Sequence, residues 1–185
     1  MGYRFYPDKI KGEGFFATCM IKTSQNENKS LNKNKSRLDY LYQKEISIIS
    51  SWVSNANDML FFRQNNQVCM IHKFHESNLI EYQNRLYLKK AGTVIGRISG
   101  IELIPDHELA LSNHISTEFA KVELKKEDAL LYLKKQNFSI LNADKGWQLM
   151  SYMNINLGWA KILQNRINNY YPTDWRILRD IKESE

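Results

Sequence analysis

A chain of 185 residues, 43% hydrophobic and 25% charged, holds one compact domain or two small ones and has the composition of an ordinary folded protein. Its formal charge of +6 favours polyanionic partners, meaning nucleic acid or an anionic membrane surface. No apolar run is long enough to span a bilayer and no signal peptide is recognisable, so the expected location is the cytoplasm.

In chain order, residues 3–6 and 15–21 are two apolar stretches flanking Pro7-Asp8 and Gly12-Glu13-Gly14, which predicts two strands bounded by turn residues. A lone hairpin is marginal in water, so this pair needs a sheet to join. Residues 23–37 are rich in Ser, Asn and Lys, with Lys29, Lys33, Lys35 and Arg37 against Glu27 alone, and read as a flexible linker. From 38 to about 57, Leu38, Leu41, Tyr42, Ile46, Ile49, Trp52 and Val53 recur at helical spacing and predict one amphipathic helix. Residues 60–64 and 67–73 read as strands around an Asn65-Asn66 turn, 76–83 as a short helix, and 85–90 and 93–98 as strands broken at Ala91-Gly92.

Pro105-Asp106-His107-Glu108 opens a helix with proline and acids. Residues 119–124 alternate as a strand, and 127–135 form a helix with acid at its start and base at its end. Residues 147–153 and 157–163 then read as a hairpin about Asn154-Ile155-Asn156. The outline from 101 onward is that of a small barrel with two short helices. The fold class expected is therefore α+β.

Catalytic and metal sites find little support. Cys19 and Cys69 each sit in an apolar run and fit free thiols better than a disulfide, and no Cys/His spacing suggests zinc. His72 and His75 lack a further ligand cluster. Gly12-Glu13-Gly14 lacks the strand-then-helix setting of a phosphate loop. The constellation that points to function lies near the C-terminal end. Lys161, Arg166 and Arg176 are phosphate-contact types, Asn168 and Asn169 can read base edges, and Tyr170 and Tyr171 can stack on unpaired bases. Trp147, Leu149, Trp159 and one of the two tyrosines are needed to fill a barrel interior. Gly158 and Ala160 let another backbone or a ligand approach closely.

Arg4-Phe5-Tyr6-Pro7 through Gly12-Glu13-Gly14-Phe15-Phe16-Ala17 resembles the last strands of the methyltransferase domain in Sun-type RNA cytosine-5 methyltransferases, in the RsmF-like branch acting on small-subunit ribosomal RNA. Asp106 to Leu111, Glu127 to Leu133, and Leu157-Gly158-Trp159-Ala160-Lys161 to Pro172 resemble the PUA-like region at the C-terminus of the same enzymes. The resemblance implies the following layout. Residues 1–22 are a remnant of the methyltransferase domain, 23–37 a linker, 38–100 a small α+β module, and 101–185 a PUA-like, barrel-type RNA-binding module. It implies ribosomal RNA as partner, with a catalytic methyltransferase domain alongside and no membrane. S-adenosylmethionine belongs to the parent enzyme. In this chain neither Cys19 nor Cys69 stands in the setting of that family's nucleophile, so no cofactor and no catalytic residue are expected here. Protein docking, through the aromatic tip and Trp175, is the alternative role.

Overall fold

The computed structural model describes residues 2–9, 12, 14–21, 38–119, 121–140 and 143–179. They fall into two units, Met1–Lys35 and Ser36–Glu185. In the first, β1 (Gly2–Phe5) pairs antiparallel with β2 (Phe15–Thr18), placing Phe5 opposite Phe15 with the rings stacked at 4.2 Å. The second strand stops at Thr18 instead of running to Ile21. The predicted linker over 23–37 and Glu13 of the Gly-Glu-Gly turn lie outside the described residues.

The second unit opens with β3 (Asp39–Tyr40) and α1 (Gln43–Ile49) where the sequence predicts one continuous helix. Two effects shorten it. Arg63, on the following strand β4 (Met59–Gln64), pairs with Asp39 at 3.9 Å and with Glu45, so this segment is held as a strand and then a helix start. At the other end Ser50 and Ser51 are poor helix interiors, and the helix passes into a 3-10 turn over Ser50–Trp52 that ends where Val53 becomes extended (φ −122°, ψ 128°). Glu45 also accepts the Tyr42 backbone N–H at 3.0 Å, half of a capping box.

Strands β4 and β5 (Gln67–His72) join through Asn65-Asn66, both at positive φ (51° and 63°), which is a two-residue type I′ turn. Then α2 (Glu76–Arg85) leads into residues 86–91, which form no ladder although 85–90 reads as a strand in the sequence. Their place beside β5 is taken by β6 (Thr93–Ser99), which pairs in turn with β7 (Glu102–Pro105). The result is a five-stranded antiparallel sheet in chain order, β3-β4-β5-β6-β7.

Asp106 caps α3 (His107–Leu111), its carboxylate accepting the Glu108 N–H at 3.0 Å. After it come β8 (Lys121–Glu123), α4 (Lys126–Leu133), β9 (Gly146–Tyr152), β10 (Ile155–Ile162) and β11 (Ile167–Asn169). These strands form a sheet of order β11-β10-β9-β8, with β8 parallel to β9 across the α4 crossover. The β9–β10 turn falls on Met153-Asn154 (φ 50° and 61°), not on residues 154–156; Ile155 and Asn156 already pair with Tyr152 and Ser151, and the register slips at a bulge before Gly158.

The class is α+β, as expected. Among the described residues the second sheet stays open instead of closing into a barrel; its edge strands β8 and β11 have three residues each and do not pair with one another. One apolar core serves both sheets. Ile49, Trp52, Phe61, Ile95 and Leu103 from 38–105 pack with Leu109, Leu149 and Trp159, and Trp52 meets Trp159 edge-on at 5.5 Å. Among the described residues no helix is long and apolar enough to cross a membrane.

Candidate nucleic-acid interface

The end of α4 shapes one side of the site. Lys135 sits at left-handed φ (56°); its N–H donates to the Tyr132 carbonyl and the Gln136 N–H to that of Leu131, at 3.0 and 2.9 Å. This is a Schellman closure with lysine where glycine is usual. The strain is offset by what the side chain reaches: Lys135 Nζ donates to the carbonyls of Tyr171 (2.6 Å) and Asn169 (3.3 Å) on the facing segment. Asn169 completes the tie, its amide donating to the Tyr132 carbonyl at 2.7 Å and accepting the Tyr171 N–H at 2.8 Å.

Between the two tied segments lies a groove of about 660 Å³, walled by residues 135–138 on one side and 165–170 on the other. Its chemistry is one-sided. Lys135 and Arg166 bring positive charge, Gln136, Asn137, Asn165, Asn168 and Asn169 bring amides, and Phe138 and Tyr170 bring rings. Among the described residues no carboxylate lines it.

The seven sequence candidates divide by environment. Arg166 is exposed at the groove, Asn168 lines it half-buried, and Tyr170 lines it with its ring against Trp147 at 4.5 Å. Asn169 is in the wall, with its amide engaged as described. Tyr171 is half-buried, its ring edge-on to Tyr132 (5.6 Å) and to His107 (5.2 Å). Lys161 lies outside the groove lining. Its Nζ is 2.6 Å from Glu102 and 5.2 Å from the Trp147 ring, and the Trp147 indole donates to the same carboxylate at 2.9 Å. The Lys161 hydrogen bond, helped by that of Trp147, holds the Glu102 carboxyl below its ordinary range against the opposing effect of burial. Arg176 is exposed beyond the 3-10 turn Thr173–Trp175 and also lies outside the lining.

Behind the groove, Gly158 makes room for a buried polar cluster. At φ +144° a Cβ there would stand 2.5 Å from the Tyr132 hydroxyl and 2.9 Å from His107 Nδ1. The Tyr132 hydroxyl donates to the Trp159 carbonyl at 3.0 Å, and burial pushes its pKa far up. His107 Nδ1 is buried without a partner among the described residues, and burial lowers the His107 pKa against the opposing pull of Asp106 and Glu108.

Sequence reasoning missed the first wall. Lys135 reads as the last residue of a helix, and Gln136, Asn137, Phe138 and Asn165 were passed over, although 134–138 carries the same basic, amide and aromatic types as 166–171.

Residues 119–177 match the family model described as the methyltransferase RsmF PUA domain. This segment is a PUA-like domain of the RsmF type. Both groove walls and all seven candidate residues lie within the PUA-like domain, as do β8, α4 and β9 to β11. The likeness at residues 4–17 falls outside the matched stretch. No curated protein matches the chain.

Proposed function

We propose that the PUA-like domain binds single-stranded segments of ribosomal RNA along the groove between 135–138 and 165–170. In this reading the chain positions that RNA for a cytoplasmic, S-adenosylmethionine-dependent cytosine-5 methyltransferase of the Sun type. It supplies affinity and orientation, and bond-making belongs to a catalytic domain with its own cofactor. The observation that carries the reading is a groove lined by cations, amides and rings, with no carboxylate among the described residues, inside a domain type that points to RNA.

Arg166 takes a phosphate, Asn168 a base edge, and Tyr170 offers its exposed face for stacking, while Asn169 and Tyr171 shape the wall. Arg176 adds a flanking positive charge. Lys161 adds one only where phosphate displaces Glu102, so its contribution is the smallest of the three cations.

Binding of the chain to a small-subunit ribosomal RNA fragment, measured over a series of salt concentrations, tests this. The logarithm of affinity should fall linearly with the logarithm of salt, and Arg166→Ala should flatten that slope by about 0.7 while Lys161→Ala flattens it less. An affinity indifferent to salt would remove the phosphate contacts and the proposal with them.

A second reading has its own observation. Trp175 and Leu178 are largely exposed, an apolar patch suited to docking on a catalytic domain or a ribosomal protein. Loss of a protein complex in Trp175→Ala, with RNA binding unchanged in Arg166→Ala, would favour it.

A further inference from the structure

Residues 86–91 leave the end of α2 as an irregular segment whose backbone is braced by the Gln64 side chain. Gln64 stands in for a missing strand partner: its Nε2 donates to the Leu88 carbonyl and its Oε1 accepts the Ala91 N–H, both at 3.0 Å. Leu88 and Ala91 pack on the Phe62–Cys69–Leu79 cluster, which turns Tyr87 outward. Tyr87 is 89% exposed and Leu86 59%. A braced segment that presents a tyrosine almost wholly to solvent buries nothing there for the fold.

Beside it lies a second groove, of about 460 Å³, lined by Gln64, Gln83, Asn84, Arg85, Tyr87 and two leucines. Its chemistry repeats that of the first groove, with amides, a guanidinium and a phenol ring and, among the described residues, no carboxylate. Gln83 Oε1 is buried there without a donor among the described residues. An orphaned acceptor of this kind suits an exocyclic amino group or a ribose 2′-hydroxyl. Of the cations in this stretch only Arg85 lines the groove; Lys89 lies two residues beyond Tyr87 in sequence, outside the lining. Arg85 faces Glu81 at 3.4 Å and Lys90 faces Glu108 at 2.6 Å, whereas Lys89 has no ion-pair partner among the described residues.

We propose that this groove, with Tyr87 as a stacking platform and Arg85 and Lys89 as phosphate contacts, is a second binding site for single-stranded RNA, outside the PUA-like domain. It rests on the reading that the chain binds RNA, but not on the first groove being the place. The fixed backbone at Leu88 and Ala91 presents the ring without a further ordering step.

The test is fluorescence anisotropy of a fluorescein-labelled oligouridylate against the full chain and three variants. Tyr87→Ala should weaken binding by about 5- to 150-fold, the range of one base–aromatic stack, while Tyr87→Phe, which keeps the ring, should bind as the parent does. Tyr87 is too exposed for either change to unfold the chain, and circular dichroism of each variant confirms that. Equal binding by Tyr87→Ala and the parent overturns the second site. Arg166→Ala, run in parallel, separates the two readings: weakening by Arg166→Ala alone leaves only the first groove, and weakening by Tyr87→Ala alone leaves only the second. If the parent chain fails to bind the oligonucleotide at all, both fall.

Discussion

His107 is the residue whose surroundings give the protein a dependence on pH. Its ring lies between Tyr171 and Trp175, each edge-on at 5.2 Å, and its Nδ1 faces the space that Gly158 leaves open. Burial is the first cause of its lowered pKa, so the folded state holds it neutral where the unfolded chain, near the ordinary 6.5, takes up a proton. Its contribution to stability is complete above about pH 6.5 and is lost as pH falls toward the folded value. Urea midpoints of the parent should therefore drop between neutral pH and about pH 5, and the drop should shrink in His107→Phe. An unchanged drop would assign it to other groups. The sequence shows why Gly158 is small but not what it admits. Its neighbours in strand alternation suggest a backbone or a ligand, whereas the atoms that approach come from α3 and α4, far away in the chain.

At the scale of elements, the tie between α4 and the segment after β11 sets the width of the first groove. Lys135 makes that tie at the cost of a left-handed backbone. Lys135→Met keeps the strain and loses both carbonyl contacts, and should cost about 1–3 kcal/mol in urea unfolding. Lys135→Gly loses the same contacts but relieves the strain, so it should cost less. Both should weaken RNA binding alike, because both release the wall; a Gly variant with parental affinity would show that the tie does not shape the groove. Elements with local signals were legible: the Asn65-Asn66 turn and the acid-opened α3 and α4 follow from their own residues. The turn at Met153-Asn154 was not, since methionine has no preference for positive φ, and only the pairing of Ile155 with Tyr152 places it there. Residues 85–90 read as a strand, and yet 86–91 join no ladder, because strand position is decided by competition for β5, and β6 occupies it.

Over the whole second unit the two sheets stand on one core, and this is the part least visible in the sequence. The expected boundary between the 38–100 and 101–185 modules falls in the turn between β6 and β7, which pair across it through four residues a side. Helical or strand periodicity marks a residue as buried but not against what. Trp52 illustrates this, since it reads as one position of an amphipathic helix and in fact meets Phe119, Trp147 and Trp159 at 4.5, 6.4 and 5.5 Å. Trp52→Ala removes an aromatic shared by both sheets and should cost about 3–5 kcal/mol. A shared core further requires that the loss be felt on both sides: amide exchange should accelerate together in β4 and in β9, and fluorescence and circular dichroism should report one coincident urea transition. Acceleration confined to β4 would mean that 38–105 and the PUA-like domain open independently. The two grooves would then sit on separately moving supports, and RNA bound at both would gain from the tether between them but not from a fixed spacing.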